Sequence, residues 1–422
     1  MFFKKTRILF IFIFLSPFIF TFLIISLTFY SIKNDYFYES DNSNNLAINK
    51  EKYLTYLPHS GFSNQRIELE NAIFLAWFLN RTLIIPPILF FEGAATFWQS
   101  YDKLYNFLAQ NILPNRNQLK FCSKNEKNNT KCVHGSGLGF RGVRNKSSII
   151  TYTMYNWDEL LDFTSLKHHI KYINRQDFNY ENLLKSLHIY DSSEAYNLTK
   201  DENRYQQRYY DNATSTIKLN NFKERVNLID LKQRSEKLLH FASVFSSFRI
   251  VRQLPESKKF WNKFIKKILP NNPILINITE KIVAEIGGTN NFIGVHARLE
   301  GNSFLKNHNN TVQSFIKRIK EDFEGDVCLK TNIFLATDIK RDNIVLQPFF
   351  QTFSSCIYML DNFNGFLEPL KFFKNPRDGV IMYELFVPLV DLLVVSKGNK
   401  FYGTKGSTFS SYAKQLHNTW IR

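Results

Sequence analysis

The longest uninterrupted apolar stretch of the chain lies close to its first residue. Residues 8–30, from Ile8 to Tyr30, hold 23 positions without a charged side chain. At about 1.5 Å per residue, a helix of this length is roughly 34 Å long and crosses a hydrocarbon core of about 30 Å. The pattern therefore predicts one transmembrane helix over residues 8–30, with residues 1–7 as a short tail.

The charges that flank this segment predict its orientation. Lys4, Lys5 and Arg7 precede it, whereas Lys33 follows it and is soon offset by Asp35. Because positive charge stays on the cytosolic side, we expect a single-pass type II membrane protein whose body lies in the lumen of the ER or Golgi. A cleavable signal peptide is the alternative, but its apolar region is about 7–15 residues and ends in small residues.

The next pattern is that of an α/β protein. Residues 31–50 are polar and aperiodic, which predicts a stem. Residues 53–56 predict a strand, residues 64–79 repeat apolar side chains at helical spacing, and residues 82–85 predict a buried strand that stops at two prolines. A strand, a helix and a strand in this order form a βαβ unit, which implies a parallel sheet covered by helices.

Alternating helices and strands resume near residue 255, after an aromatic-rich stretch with no clear order of elements. The predicted strands are 292–297, 332–336, 356–360 and 400–402, and the predicted helices are 256–269, 274–286, 311–321, 380–395 and one from about 407. We therefore expect two α/β units, residues 51–250 and residues 251–422. Ligands of open α/β sheets bind at the strand ends, so a cleft between the units is the expected site.

The net charge of the chain limits the classes of molecule that it is expected to bind. The formal net charge is +17, and the densest cations predict one solvated face of a helix; they are Lys258, Lys259, Lys263, Lys266 and Lys267. No zinc-finger spacing, aromatic RNA-binding motif or basic tail accompanies them, so no nucleic-acid partner is expected. A basic surface suits a membrane or an anionic nucleotide-sugar equally well.

Cysteine usage agrees with a lumenal body. The four cysteines match no zinc site, and in an oxidising compartment two disulfides are expected. The local pairing of Cys122 with Cys132 and of Cys328 with Cys356 is favoured, and four buried thiols are the alternative. The glycosylation pattern Asn-x-Ser/Thr occurs at Asn80, Asn128, Asn145, Asn197, Asn212, Asn277 and Asn309.

Three short segments could bind an anion. In the first, residues 57–63 lead into a helix whose free N–H groups and dipole attract negative charge. Gly61 lets a ligand approach the backbone, and Asn64 can hydrogen-bond across the cleft. The alternative is that Ser63 or Asn64 merely caps the helix, which is worth about 1 kcal/mol.

The other two segments lie in the second unit. Arg298 belongs to the motif His296-x-Arg298 at the end of a predicted strand. Its guanidinium can bind phosphate oxygens in two-point contact. The alternative is an exposed arginine that merely ends the strand. Residues 403–409 form a glycine-containing loop that opens a helix with Ser407 and Thr408, which is again receptive to an anion.

Together these segments resemble the GDP-fucose protein O-fucosyltransferase-like family. The resemblance lies in three blocks in the same order, which are HSGFSNQRIELENAIFLAWFLNRTLIIPP (59–87), GVHARLEG (294–301) and DLLVVSKGNKFYGTKGSTFSSYAKQL (391–416). It leaves the middle third of the chain unmatched. The resemblance implies two Rossmann-like domains facing across a cleft (GT-B type), with the acceptor on the N-terminal side and the GDP-sugar on the C-terminal side.

The resemblance also implies roles for single residues. Asn64 matches the active-site Asn of the family, and Arg298 matches the Arg that neutralises the donor diphosphate. Gly61, Phe62 and His296 belong to the same blocks and are expected to contact the donor. Positions that hold the nucleotide are matched by Asp391, Ser407, Thr408 and Phe409.

The implied reaction is an inverting, metal-independent transfer of fucose from GDP-fucose to a Ser or Thr hydroxyl. No cofactor is expected. The chain has no Asp-x-Asp pair, and the nearest approximation, Asp322 and Glu324, predicts a solvated helix end. The general base stays open: Glu68 lies one helical turn beyond Asn64, and Glu300 follows the His-x-Arg block.

Two other functions use the same donor motifs. A fucosyltransferase that acts on a glycan, and a membrane-tethered GDP-sugar-binding or glycan-binding protein without catalysis, would both retain a donor site. Only the unmatched middle third could distinguish a glycan acceptor from a protein acceptor. The presence of both Asn64 and Arg298 argues against a binding protein without catalysis.

Overall fold

A computed structural model of the chain describes residues 51–58, 60–91, 118–121, 148–198 and 205–420. The predicted membrane anchor, the stem and the loop with Cys122 and Cys132 lie outside the described residues. From Lys52 onward the chain forms one compact unit, and its division into two domains at residue 250 stays a prediction. Within the described ranges, no helix is both long and apolar enough to span a membrane.

The strands are short, and most of them pair in parallel. In chain order they are β1 (Tyr53–Tyr56), β2 (Thr82–Ile85), β3 (Ile88–Phe91), β4 (Gln118–Phe121), β5 (Ser148–Tyr155), β6 (Tyr172–Asn174), β7 (Ala195–Asn197), β8 (Gln207–Tyr210), β9 (Glu224–Asn227), β10 (Leu238–Phe241), β11 (Ile250–Val251), β12 (Phe292–Ala297), β13 (Asn332–Thr337), β14 (Ile357–Tyr358) and β15 (Lys400–Gly403).

The α-helices connect and cover them. They are α1 (Phe62–Leu79), α2 (Tyr180–Ser186), α3 (Leu228–Gln233), α4 (Pro255–Lys263), α5 (Pro273–Glu285), α6 (Asn302–Leu305), α7 (His308–Asp322), α8 (Gln347–Thr352), α9 (Asn364–Phe372), α10 (Tyr383–Ser396) and α11 (Thr408–Trp420). The helix predicted over 256–269 ends at Lys263 and continues only as a short 3-10 turn at Ile265–Lys267.

The first parallel sheet has the strand order β6-β2-β1-β10-β7. Strands β1 and β2 with helix α1 form the predicted βαβ unit, and every residue of both strands is buried. From β1 the strand order runs to β2 and β6 on one side, whereas β10 and β7, which come later in the sequence, lie on the other side. The direction of the strand order therefore changes beside β1. Ligands bind at such a switch point, outside the carboxyl ends of the strands.

The second parallel sheet has the strand order β14-β13-β12-β15. Strand β12 is buried along its full length and lies between β13 and β15, so it marks the switch point of this sheet. Helix α10 packs closely over it: a Cβ built on Gly294 would lie 2.0 Å from the carbonyl oxygen of Val395. The predicted α/β class with parallel sheets is confirmed.

The region between the two sheets is more irregular than the rest. Strands β3, β5 and β4 form an antiparallel sheet, and β11, β8 and β9 form a small parallel one. The sequence pattern predicted neither of them. One continuous apolar core includes Leu54 and Phe74 from the first half and Val390 and Leu416 from the second, which explains why the residues after Lys52 form a single compact unit.

Candidate functional site

Helix α1 begins at the switch point of the first sheet without using a side chain as a cap. Gly61 is the N-cap residue, in an extended conformation, and no acidic residue lies in the first turn. Ser63 and Asn64 lie inside the first turn, so the capping role considered for them is wrong. Among the described residues, a Cβ built on Gly61 would meet no atom within 4 Å. The positive end of the helix dipole therefore has no capping or acidic side chain from its own first turn.

Asn64 is the predicted active-site residue on this turn. Its side chain is half-buried, and its Oδ1 atom is buried with no hydrogen-bond partner in the part of the chain that the structure describes. An unsatisfied buried polar atom costs about 1–3 kcal/mol. A ligand hydroxyl or N–H that donates to Oδ1 would remove this cost.

The residues beside Asn64 fix the loop. The Gln65 side chain donates to the carbonyl oxygens of Ser60 and Leu89, both at 2.8 Å, and accepts from the N–H of Leu89 at 2.9 Å. The ring of Phe62 stacks on Phe90 at 5.9 Å between centroids and also packs on Trp157. The contacts of Phe62 within the described residues are therefore packing contacts, and its donor contact stays a prediction.

Arg298 lies where strand β12 ends. Its Nη1 is 3.1 Å from Oδ2 of Asp338, and its side chain is 36% exposed. Its backbone N–H donates to Oγ1 of Thr404 at 2.9 Å. Asp338 also accepts from the N–H groups of Leu299 and Glu300, at 2.7 and 3.0 Å. Thr404 thus fixes the backbone of Arg298 and Asp338 holds its guanidinium at the carboxyl edge of the sheet. The guanidinium still reaches solvent.

His296 lies two residues before Arg298 and is buried. Its Nδ1 is 2.6 Å from Oγ of Ser410, and its ring stacks on Phe409 with the centroids 4.3 Å apart. Burial, and next the charge of Arg298, lower the pKa of His296 to about 3. The imidazole is neutral at pH 7, so at this edge Arg298, and not His296, is charged.

The loop after β15 starts helix α11 in the second anion-receptive position. Gly406 has a φ of +83°, a conformation that favours glycine, and the buried Ser407 follows it. Oγ of Ser407 accepts from the N–H of Ser410 at 3.3 Å and so caps the helix. Thr408 and Phe409 form the first turn, beside His296.

Helices α1 and α11 run in the same direction with their starts at the same end. The ring of Phe62 lies 6.5 Å from the ring of Tyr412, measured between centroids. The guanidinium of Arg66 lies 3.9 Å from the centroid of the same ring. One turn further on, Glu70 accepts from Gln415 at 3.3 Å. Residues near each start pair with each other, so the positive ends of both dipoles face the same side. The two motif-bearing halves therefore meet at one place.

Asp391 lines a cavity of about 720 Å³ at the end of strand β13, next to the strand end that carries Arg298. The cavity is lined by Leu335, Thr337, Ile339, Lys340, Arg341, Asp342, Met359, Leu360, Asp361, Val387 and Asp391. Oδ1 of Asp391 and Oγ1 of Thr337 are buried and have no partner among the described residues. Burial, and next the charge of Asp361, raise the pKa of Asp391 to about 8. The cavity thus offers polar atoms that a heterocyclic ligand could satisfy.

The two carboxylates considered as bases occupy different surroundings. Glu300 is exposed in the turn after β12. Glu68, a candidate because it lies one turn beyond Asn64, is fully buried and accepts from Oγ of Ser243 and from the N–H of Val244. The helical spacing alone did not reveal this, because Ser243 comes after β10 and reaches α1 only through the sheet.

Three functional candidates were missed by the sequence analysis: Asp338, Thr404 and Ser410. Each bonds Arg298 or His296 directly. Asp338 and Thr404 come directly after strands β13 and β15, so a polar residue within two positions of the end of each predicted strand was the signal for both. Asp322 accepts from Tyr402 at the end of α7, as expected for a helix end. Within the described ranges, no three His, Cys, Asp or Glu side chains lie close enough to hold a metal ion.

The comparisons with known proteins concern both sequence and fold. No protein-family model matches the chain. O-fucosyltransferase 30 of Arabidopsis thaliana is 67% identical over 39 residues, which are 9% of this chain and 8% of that protein. A crystal structure of POFUT1 in complex with GDP has a TM-score of 0.42 at 11% identity, over 88% of this chain and 96% of that one.

A second solved structure behaves similarly. The NodZ alpha-1,6-fucosyltransferase soaked with GDP-fucose has a TM-score of 0.42 at 14% identity, over 87% of this chain and 93% of that one. At these scores neither structure informs the roles of single residues here. The sequence match confirms the predicted resemblance over a short stretch: across 39 residues this chain is similar to an O-fucosyltransferase.

Proposed function

We propose that this protein is a glycosyltransferase of GT-B type that transfers fucose from GDP-fucose to a Ser or Thr hydroxyl of a secretory-pathway protein. The observation that carries the proposal is that α1 and α11 contact each other through the first turns of α1 and Tyr412, while α11 starts beside the strand end that carries Arg298. Two positive dipole ends and one guanidinium suit a diphosphate.

The donor would be held mainly by the second half of the chain. Its diphosphate would lie against Arg298 and the first turn of α11, at Ser407 and Thr408. Asp391, in the 720 Å³ cavity, would take the nucleoside. Phe409 stacks on His296, so a neutral, rigid surface adjoins the diphosphate. Gly61 and Phe62 would border the sugar from the side of α1.

The reaction would be a direct displacement. The acceptor oxygen forms a bond to the anomeric carbon while the bond from that carbon to the diphosphate oxygen breaks, and GDP leaves with the electron pair. The hydroxyl proton passes to a base that stays unassigned. Arg298 and the two helix N-termini stabilise the charge that develops on GDP, and Asn64 orients the acceptor hydroxyl. These groups supply the positive charge, so we propose that no metal is needed.

We further propose that the protein is a single-pass type II membrane protein of the ER or Golgi. Residues 8–30 support this by their length and apolar composition. The disulfide between Cys328 and Cys356, which confirms one of the two predicted pairs, supports an oxidising compartment.

The test uses the full-length protein in detergent with GDP-fucose and EDTA, and a mixture of secreted proteins as acceptors. We expect GDP release and a fucose on Ser or Thr, identified by mass spectrometry of the peptides. Fucose that is removed together with enzymatically released N-glycans would favour a glycan acceptor instead. No GDP release from a folded protein that binds GDP would indicate a binding protein without catalysis.

A further inference from the structure

The loop of residues 243–249, which comes after strand β10, is held by buried polar side chains. Glu68 accepts from Ser243 and from the N–H of Val244. Asn71 donates to the carbonyl oxygens of Val244 and Ser246, at 2.8 and 3.0 Å. Arg249 donates from its side chain back to the carbonyl of Phe245 at 2.6 Å. Side chains from α1 and from the loop itself thus replace the bonds that a strand or helix would make.

This arrangement is costly for a simple connection. Glu68 and Asn71 are 0% exposed, and Arg249 is 1% exposed, although such residues are rarely fully buried. Ser246 has a φ of +112°, which is strained for a residue with a side chain. Its carbonyl and hydroxyl both take part in the loop bonds. Strain and buried charge are retained in a loop when its conformation matters.

The loop lies beside the candidate site. Strands β1 and β10 are parallel neighbours, and Tyr56 pairs with Phe241 at their carboxyl ends. The segments after these strands therefore leave the sheet side by side, at a strand spacing of about 4.8 Å. The segment after β1 runs to Gly61 and Asn64, and the segment after β10 is the 243–249 loop.

We propose that the 243–249 loop is a preorganised wall of the donor site and that Glu68 is the positioning residue that holds it, not the general base. The inference rests on the proposed function. Both bonds from the loop end on the same oxygen, Oε1 of Glu68. A glutamine provides such an oxygen but has no basicity, so Glu68→Gln separates positioning from proton transfer.

The test compares four variants of the full-length protein: Glu68→Gln, Glu68→Ala, Ser243→Ala and, as a control, Asn375→Ala. Asn375 is also buried and lies in another loop. Its side chain donates to Thr153 and to the carbonyl of Met154 and accepts from the N–H of Arg377. The readouts are the rate of GDP release from GDP-fucose between pH 5 and 9, the Kd for GDP, and the thermal midpoint.

We expect Glu68→Gln to keep the rate within about threefold and to keep the shape of the pH profile. Glu68→Ala and Ser243→Ala should lower kcat/KM for GDP-fucose at least tenfold and raise the Kd for GDP, because a wall that is no longer preorganised must be ordered when the donor binds. Asn375→Ala should lower the thermal midpoint and leave kcat unchanged. A Glu68→Gln variant as inactive as Glu68→Ala would overturn the proposal and return Glu68 to the role of base. Full activity in both alanine variants would overturn it too.

Hydrogen exchange gives a readout that needs no turnover. In the wild type, GDP should slow amide exchange in the peptide that covers residues 243–249. Without ligand, exchange in this peptide should be faster in Glu68→Ala than in the wild type, and unchanged in Glu68→Gln. If Glu68→Ala does not fold, Ser243→Ala carries the comparison. A folded wild type that does not bind GDP refutes the proposed function, whereas GDP binding that leaves this peptide unchanged refutes only the wall.

Discussion

At the scale of single residues, the candidate site combines the oriented positive charge of Arg298 with a buried His296 that carries no charge at pH 7. The neutral His296 packs between Phe409 and Ser410 and holds the end of β12 rigid. Arg298 pairs with Asp338 but stays one-third exposed, so a phosphate can reach it without first breaking a buried ion pair. A charge that is already oriented costs little reorganisation when a ligand arrives.

Asn64→Ala tests the predicted catalytic contact. We expect kcat for GDP release to fall about 100-fold or more, because a hydrogen bond oriented toward the reacting groups contributes most in the transition state. Since Oδ1 is buried and has no partner in the described structure, the substitution removes an unsatisfied atom and the thermal midpoint should stay the same or rise. Steady-state kinetics and a thermal melt measure both effects, and an unchanged kcat would remove Asn64 from the mechanism.

Asp391 predicts a pH dependence of stability. Its pKa is raised to about 8 in the folded protein, whereas an unfolded chain releases this proton near pH 4. Between these values the folded state binds more protons, so the free energy of unfolding falls as the pH rises from about 4 to about 8. Thermal melts from pH 5 to 8.5 should show the wild type losing stability relative to Asp391→Asn. Parallel curves for the two proteins would contradict this.

At the scale of elements, the two βαβ-like halves could be predicted and their pairing could not. Strands β1, β2 and β12 were predicted to the residue, since buried parallel strands are continuous apolar runs. The neighbours β1 and β10 are separated by more than 180 residues, and no local pattern encodes this contact. The contact of Glu68 with Ser243 could therefore not be predicted from helical spacing, while Arg298, fixed by its own strand, lies at the expected edge.

Gly294→Ala tests the close approach of helix α10 to strand β12. The new Cβ would lie 2.0 Å from a backbone oxygen, and backbone cannot move aside as a side chain can. We expect a loss of about 3 kcal/mol or more in the free energy of unfolding, measured by urea denaturation. Gly365→Ala is the control, because its Cβ would meet nothing within 4 Å in helix α9 and should be neutral or slightly stabilising.

At the scale of the whole molecule, a shared core and a disulfide hold together the parts of the chain that carry the site. The bond between Cys328 and Cys356 closes a loop of 28 residues that contains β13, the strand directly before Asp338. Replacing both cysteines by serine should cost about 2–4 kcal/mol. A thermal melt with and without reductant measures this for the wild type, and no shift would mean that the bond contributes little.

The measurement that tests the central claim most directly is calorimetric titration of GDP and GDP-fucose into the full-length protein in EDTA, with two arginine variants. We predict that binding survives EDTA and that Arg298→Ala weakens it by about 2–5 kcal/mol, roughly 30-fold or more in Kd. Arg234→Ala is the control, since Arg234 is 35% exposed and pairs with Glu236 before strand β10, and it should leave Kd unchanged. No binding by folded wild type, or equal binding by Arg298→Ala, would contradict the account.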